Sequence, residues 1–135
     1  MTPESLRLPV RGAADAERAR REARTLAARQ GFDAADAERV ALAVSELATN
    51  LVRYARQGEI LLGAVDGARG RGIEVESRDA GPGIGDVARA LEDGYTTGGG
   101  LGSGLPGVRR LMDDFEISSA PSGTRVLARK WLPAQ

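Results

Sequence analysis

The chain has 135 residues, 19 basic and 19 acidic, with no cysteine and no histidine. A chain of this length suits one domain that buries roughly two-thirds of its unfolded surface. Balanced charge excludes a global basic field for nucleic acid or anionic membrane, and the missing Cys and His exclude disulfides, thiolate chemistry and the common zinc sites. The longest apolar stretch, Ile60 to Val65, is far short of a membrane span, and Met1 to Arg7 lacks the apolar core of a signal peptide. A single soluble cytoplasmic domain over residues 1–135 is therefore expected, with no nucleic acid and no membrane among its partners. Lys130 is the only lysine, so no phosphate-binding lysine is available outside the final segment.

In chain order, Leu6, Leu8 and Val10 alternate with Ser5, Arg7 and Pro9, which predicts an edge strand, where proline is tolerated. From Ala13 to Gln30 the run is rich in Ala and Arg, good helix formers, and Gly31 supplies a stop. Asp33 stands as the N-cap of a second helix, Ala34 to Ala55, with Asp36 in the capping-box position. Val40, Val44, Leu47 and Leu51 recur at helical spacing and predict its buried stripe. Arg56, Gln57 and Gly58 are expected to close it.

Two strands are predicted next, Glu59 to Val65 and Gly72 to Arg78, around a turn over residues 66–71. Ile73 and Val75 point to one side of the second strand, Glu74 and Glu76 to the other. A short helix is expected over residues 86–92, a loop over 94–103, and a helix from Leu105 to Met112. Strands over residues 115–119 and 124–131, around the turn Ala120 to Gly123, complete an α/β sandwich of the α+β kind. Its mainly antiparallel mixed sheet carries helices packed on one face.

Three clusters carry chemistry. Glu46, Asn50 and Tyr54 stand at i, i+4 and i+8 of the second helix, on a face distinct from the apolar stripe. Taken alone, such a set is more often a solvated polar face. Functionally, Asn50 offers an amide oxygen to Mg²⁺, and Glu46 can accept a proton from an attacking hydroxyl. Asp79-Ala80-Gly81-Pro82-Gly83 follows a strand. It reads either as a structural turn or as a carboxylate accepting a hydrogen bond from the exocyclic amine of adenine, with glycines admitting the ring. Ten of the 18 glycines lie between Gly81 and Gly107, and Gly98-Gly99-Gly100-Leu101-Gly102-Ser103-Gly104 opens a helix. Free amides at such a helix start suit a phosphate chain. The run is neither a P-loop nor a dinucleotide fingerprint, and Ser103 suits a helix cap better than a nucleophile.

Together these residues resemble the N, G1, G2 and G3 boxes of the GHKL ATPase/kinase superfamily. The boxes are Glu46-x-x-x-Asn50, Asp79-x-Gly81-x-Gly83, Gly98 to Gly104, and Gly123-Thr124. Within that superfamily the chain is similar to the bacterial RsbT-type switch kinases, on Ser45 to Asn50, Asp79 to Ile84, Glu92 to Thr97 and Gly102 to Ile117. The similarity spans about residues 33–131.

The resemblance implies a Bergerat ATP-binding fold. Asn50 would hold Mg²⁺ and phosphates, Asp79 the adenine, and Gly81 and Gly83 the pocket wall. Gly94 to Ser103, with Gly98, Gly99, Gly100, Leu101 and Gly102 at its centre, would form the ATP lid ahead of Gly104. Thr124 would support Asp79 through its hydroxyl, and Glu46 would be the base for phosphoryl transfer to a protein serine or threonine. The implied partners are a STAS-domain antagonist as substrate and a PPM-type serine phosphatase as the activated target, in a bacterial stress-response or regulatory cascade. An alternative is an ATP-gated anti-sigma factor, or a non-catalytic module that sequesters a sigma factor. Two features depart from the family. Tyr54 stands where many relatives carry His, and the lid has no Lys or Arg, which leaves phosphate charge to Mg²⁺ and backbone amides. Arg109 reads equally as a further partner for that charge and as a surface residue of its helix, and is kept outside the site.

Overall fold

In the computed structural model, which describes residues 5–54, 58–80 and 104–133, the alternation of Leu6, Leu8 and Val10 becomes β1 (Ser5–Val10). It lies at the edge of the sheet, with Pro9 opposite Glu59. Helix α1 (Ala13–Gln30) ends on Gly31, whose φ of 112° only glycine adopts cheaply. The Gly31 and Phe32 amides donate to Ala28 O and Ala27 O, both at 3.1 Å, and Phe32 is buried beneath them.

Helix α2 (Ala34–Tyr54) starts as its sequence dictates: Asp33 Oδ1 accepts the Asp36 amide at 2.8 Å. The Asp36 carboxylate, placed in the capping-box position by sequence, instead accepts from Arg39 Nη1 at 2.7 Å. Arginine one turn along reaches it more readily than the backbone does. Val40, Val44, Leu47 and Leu51 are all buried. On the side facing α1, Glu38 accepts from Arg20 at 3.1 Å and Arg24 at 2.9 Å, and Arg20 first, then Arg24, holds its carboxyl below the ordinary value.

Strands β2 (Gly58–Gly67) and β3 (Gly70–Asp79) extend further than their patterns suggest. Gly67 pairs with Gly70, so the connection is the two residues Ala68 and Arg69 rather than six. Gly70, at φ 100°, permits the tight reversal. Gly58, expected to close α2, is instead the first residue of β2. Helix α3 (Gly104–Leu111), β4 (Asp114–Ala120) and β5 (Gly123–Trp131) follow. The helix expected over residues 86–92 lies outside the described residues, as does the closing pair Arg56 and Gln57.

The sheet order is β1-β2-β3-β5-β4, and all four described pairings are antiparallel. Leu8, Val10, Ile60, Leu62, Ile73, Val75, Val126 and Ala128 form its inner face. They share one core with Leu26 of α1, Val44 and Leu47 of α2, and Val108 of α3. Burial of each large aliphatic side chain contributes about 1.5–3 kcal/mol. The outer face is tied by ion pairs instead: Arg7 with Glu59 at 2.6 Å, Arg129 with Glu74 at 2.8 Å, and Arg125 with Glu76 at 2.8 Å, Arg78 joining Glu76 from the other side.

Inside the helical layer, the buried Gln30 amide donates to Gly72 O at 2.8 Å and Val65 O at 3.3 Å. It fixes the end of α1 to the β2–β3 hairpin.

Candidate functional site

The antiparallel register assembles the site at one end of the inner sheet face. Asp79 is the last residue of β3, and Gly58 of β2 pairs with it. On its other side β5 begins with Gly123 and Thr124, and Thr124 pairs in turn with Ser119 of β4. Ser119, Thr124, Asp79 and Gly58 therefore form a row across four strands.

Contact within the row is close. A methyl group at Gly123 would stand 2.0 Å from the Asp79 carbonyl oxygen and 3.2 Å from Ala80 Cα. Gly123 also has φ 150°, so two separate constraints reserve the position for glycine. The Thr124 amide donates to Asp79 Oδ1 at 3.2 Å. The sequence looks to the threonine hydroxyl for this support. The structure supplies it from the amide, and sets the hydroxyl 2.9 Å from Ser119 Oγ. Ser119 lies directly across the strand pair on the same face, which accounts for the hydroxyl contact.

Helix α2 reaches the same end of the sheet. Leu51 packs on Gly58, where a methyl group would stand 2.6 Å from Leu51 Cδ2. Asn50 is the neighbouring residue and Glu46 lies one turn earlier, both half-buried. Leu51 is thus the packed side of the last turns of α2, and Glu46 and Asn50 occupy a less buried flank. Gly104, with φ 37°, is the first residue of α3. Arg109 is exposed on that helix. The remaining sequence-expected site residues, Gly81, Gly83, Gly98, Gly99, Gly100, Leu101, Gly102 and Ser103, lie outside the described residues, as does the side chain of Tyr54.

The donor set suits a nucleotide and a hard divalent cation. A carboxylate oriented by a backbone amide can accept a base-edge amine, and an amide oxygen such as that of Asn50 is a Mg²⁺ ligand. Among the described residues no three acidic side chains gather as a metal cage. A cation here would complete its shell from phosphate oxygens and water. No helix of the described residues is long and apolar enough to cross a membrane.

One residue and one contact at this end of the fold go beyond what the motifs name. Ser119 belongs to no box, and its role rests on a strand register. The Gly123 contact with Asp79 joins residues 44 positions apart, and its only sequence signal is the Gly-Thr pair itself.

Comparison with known proteins agrees with this fold. Residues 11–130 match the family model described as the histidine kinase-like ATPase domain. The chain is 45% identical over 115 residues to the serine/threonine-protein kinase RsbT of Bacillus subtilis, covering 84% of this chain and 86% of that one. Among solved structures, the RsbU and RsbW domains of a Mycobacterium tuberculosis protein superpose with a TM-score of 0.67 at 20% identity, covering all of this chain and 34% of that one. The histidine kinase domain of the blue-light activated histidine kinase of Erythrobacter litoralis superposes at 0.54 with 19% identity, covering 96% of this chain and 68% of that one. At those identities the two structures speak for the fold alone: an open antiparallel sheet with helices on one face. The chain belongs to the histidine kinase-like ATPase domain family and is an enzyme of its RsbT-like serine/threonine-protein kinase group.

Proposed function

We propose that the chain is a partner-switching kinase that transfers the γ-phosphoryl group of Mg·ATP to a serine or threonine of a STAS-domain antagonist. Once that antagonist is modified, the kinase is released to activate a PPM-type serine phosphatase. The observation that carries this reading is the row Ser119–Thr124–Asp79, whose next member, Gly58, packs against Leu51 of α2. It gives the adenine-reading carboxylate a fixed donor at the sheet end where Glu46 and Asn50 also stand.

In this reading Asp79 accepts the exocyclic amine of adenine, and Gly81 and Gly83 wall the ring. Asn50 holds Mg²⁺, which neutralises phosphate charge when bound. Gly98 to Gly104 provides backbone amides to the phosphates. Glu46 orients the substrate hydroxyl and accepts its proton as the oxygen–phosphorus bond forms and ADP leaves. Most of the acceleration comes from positioning and charge neutralisation, since phosphoryl transfer needs little covalent help from the protein.

Transfer of label from ATP to STAS-domain proteins of the same organism tests the proposal. The wild-type chain should label one of them, and Glu46→Ala should lower the rate by at least about 100-fold while Mg·ATP still binds. Loss of transfer and binding together would make Glu46 structural. Capture of a sigma factor, with no transfer to any STAS-domain protein, would turn the reading to sequestration.

A further inference from the structure

Lys130 presents a problem that the nucleotide site does not solve. Thr124, Val126, Ala128 and Lys130 alternate along β5 and all face the core side, so the only lysine of the chain points inward among apolar residues. It is 9% exposed. Placing an ammonium there is costly unless its hydrogens are accepted. Its Nζ donates to Leu111 O, the last carbonyl of α3, at 3.0 Å, and lies 3.9 Å from Asp113 Oδ1.

Helix α3 needs such an anchor. It has eight residues and includes Gly104, Pro106 and Gly107, a length and composition that give almost no intrinsic helix stability. Its C-terminal end is fastened to β5 by three bonds. Lys130 meets Leu111 O, the Asp113 amide donates to Arg129 O at 2.8 Å, and the Trp131 amide donates to Asp113 Oδ2 at 2.8 Å. The positive charge also stands at the negative end of the helix dipole. The ladder with β3 fixes β5 there: Ile73 pairs with Lys130 and Gly72 with Trp131, Gly72 lacking the side chain that would meet the Lys130 carbonyl. The ammonium is thus delivered from a strand whose register its neighbour sets.

We propose that Lys130 is a positioning residue for the phosphate end of the nucleotide, acting through α3. By fixing the last turn of the helix to β5, it sets where the first turn, directly after the glycine run, presents its amides. The inference rests on the reading that the Gly98-to-Gly104 segment and the start of α3 receive the phosphates. It assigns no contact between Lys130 and ATP.

The test compares Mg·ATP with adenosine, which lacks the phosphates, as ligands of the full chain by calorimetry. Lys130→Met should weaken Mg·ATP about tenfold, equivalent to about 1.4 kcal/mol, and leave adenosine within about twofold. The KM for ATP should rise with kcat at saturating ATP nearly unchanged, and Lys130→Arg should recover most of the loss. Should the methionine variant not fold, Lys130→Gln keeps a donor without the charge, and the same pattern is expected. Equal weakening of both ligands, or a lowered unfolding temperature with ATP affinity intact, would make the lysine merely structural and overturn the proposal. If wild type binds adenosine as tightly as Mg·ATP, the phosphate reading of the α3 start falls, and this inference with it.

Discussion

On the inner face at the Asp79 end of the sheet, β3, β5 and β4 are joined by an amide on a carboxylate, two hydroxyls and a glycine pressed on a carbonyl, the Arg7–Glu59 and Arg125–Glu76 ion pairs lying on the outer face. At the Lys130 end the strands are joined by charged side chains. There Lys130 meets Leu111 O and Asp113, Arg69 meets Asp114 at 2.8 Å, and Trp131 donates its indole N–H to Asp114 at 2.9 Å, with the Arg69 guanidinium 5.0 Å above the ring centroid. The contrast is physical. In the proposed reading, a site that receives a charged ligand gains from short, stiff supports that add little charge on the ligand's own face of the sheet. An anchor far from the ligand can use ionic groups freely. Short polar groups hold geometry, and long charged ones hold ends together.

The sharpest way to break this contrast is at Gly123. Gly123→Ala places a methyl group 2.0 Å from the Asp79 carbonyl at a φ that alanine disfavours. The expected cost is about 3 kcal/mol in urea unfolding, with Mg·ATP affinity lost in whatever fraction folds. A normally stable variant would mean that the end of β3 has slack.

At the ionic end the expected effect is smaller and depends on pH. The Trp131 indole N–H first, and Arg69 next, hold the Asp114 carboxyl below its ordinary value. A depressed folded-state value adds stability above the unfolded value of about 4, and the gain is lost as pH falls through the folded value. Asp114→Asn should therefore lower the unfolding temperature by only about 2 °C near neutrality and flatten its decline between pH 5 and about 2, with ATP affinity unchanged. A loss of ATP affinity would show that Asp114, and not Lys130 alone, bears on the nucleotide from this end.

The mildest change is Ser119→Ala, which takes away the hydroxyl partner of Thr124. It should cost about 0.3 kcal/mol of stability and about twofold in Mg·ATP affinity, because the amide of Thr124 still serves Asp79. A tenfold loss of affinity would show that the orientation of the Thr124 hydroxyl matters to the proposed adenine pocket.

Most of the fold was legible because its elements carry strong periods. The two-residue alternation of β1, β3 and β5 and the Val40–Leu51 stripe each name a buried face without help from any partner. The Asp33 cap and the Gly31 stop are equally local. Turn length was less legible: residues 66–71 are polar and glycine-rich, which marks a reversal but not how far the ladder runs into it. Thr124 was found through its motif, yet which of its atoms serves Asp79 depends on a strand register linking distant residues. Lys130 is the instructive miss. Its sequence signal was present, since it continues the inward alternation of β5. A lysine near the end of a chain is ordinarily read as solvated, and only the position of α3 gives it a buried partner.

The chemistry of that residue has a practical consequence. Amine-reactive reagents find one lysine side chain in this protein, and it is 9% exposed with its nitrogen bonded to a helix carbonyl. Acylation there is gated by the end of α3 lifting from β5, so the labelling rate reports the population of that open form. Lysine-directed cross-linkers, by contrast, are nearly blind to the arginine-covered surface, and contacts made there have to be captured through carboxylates.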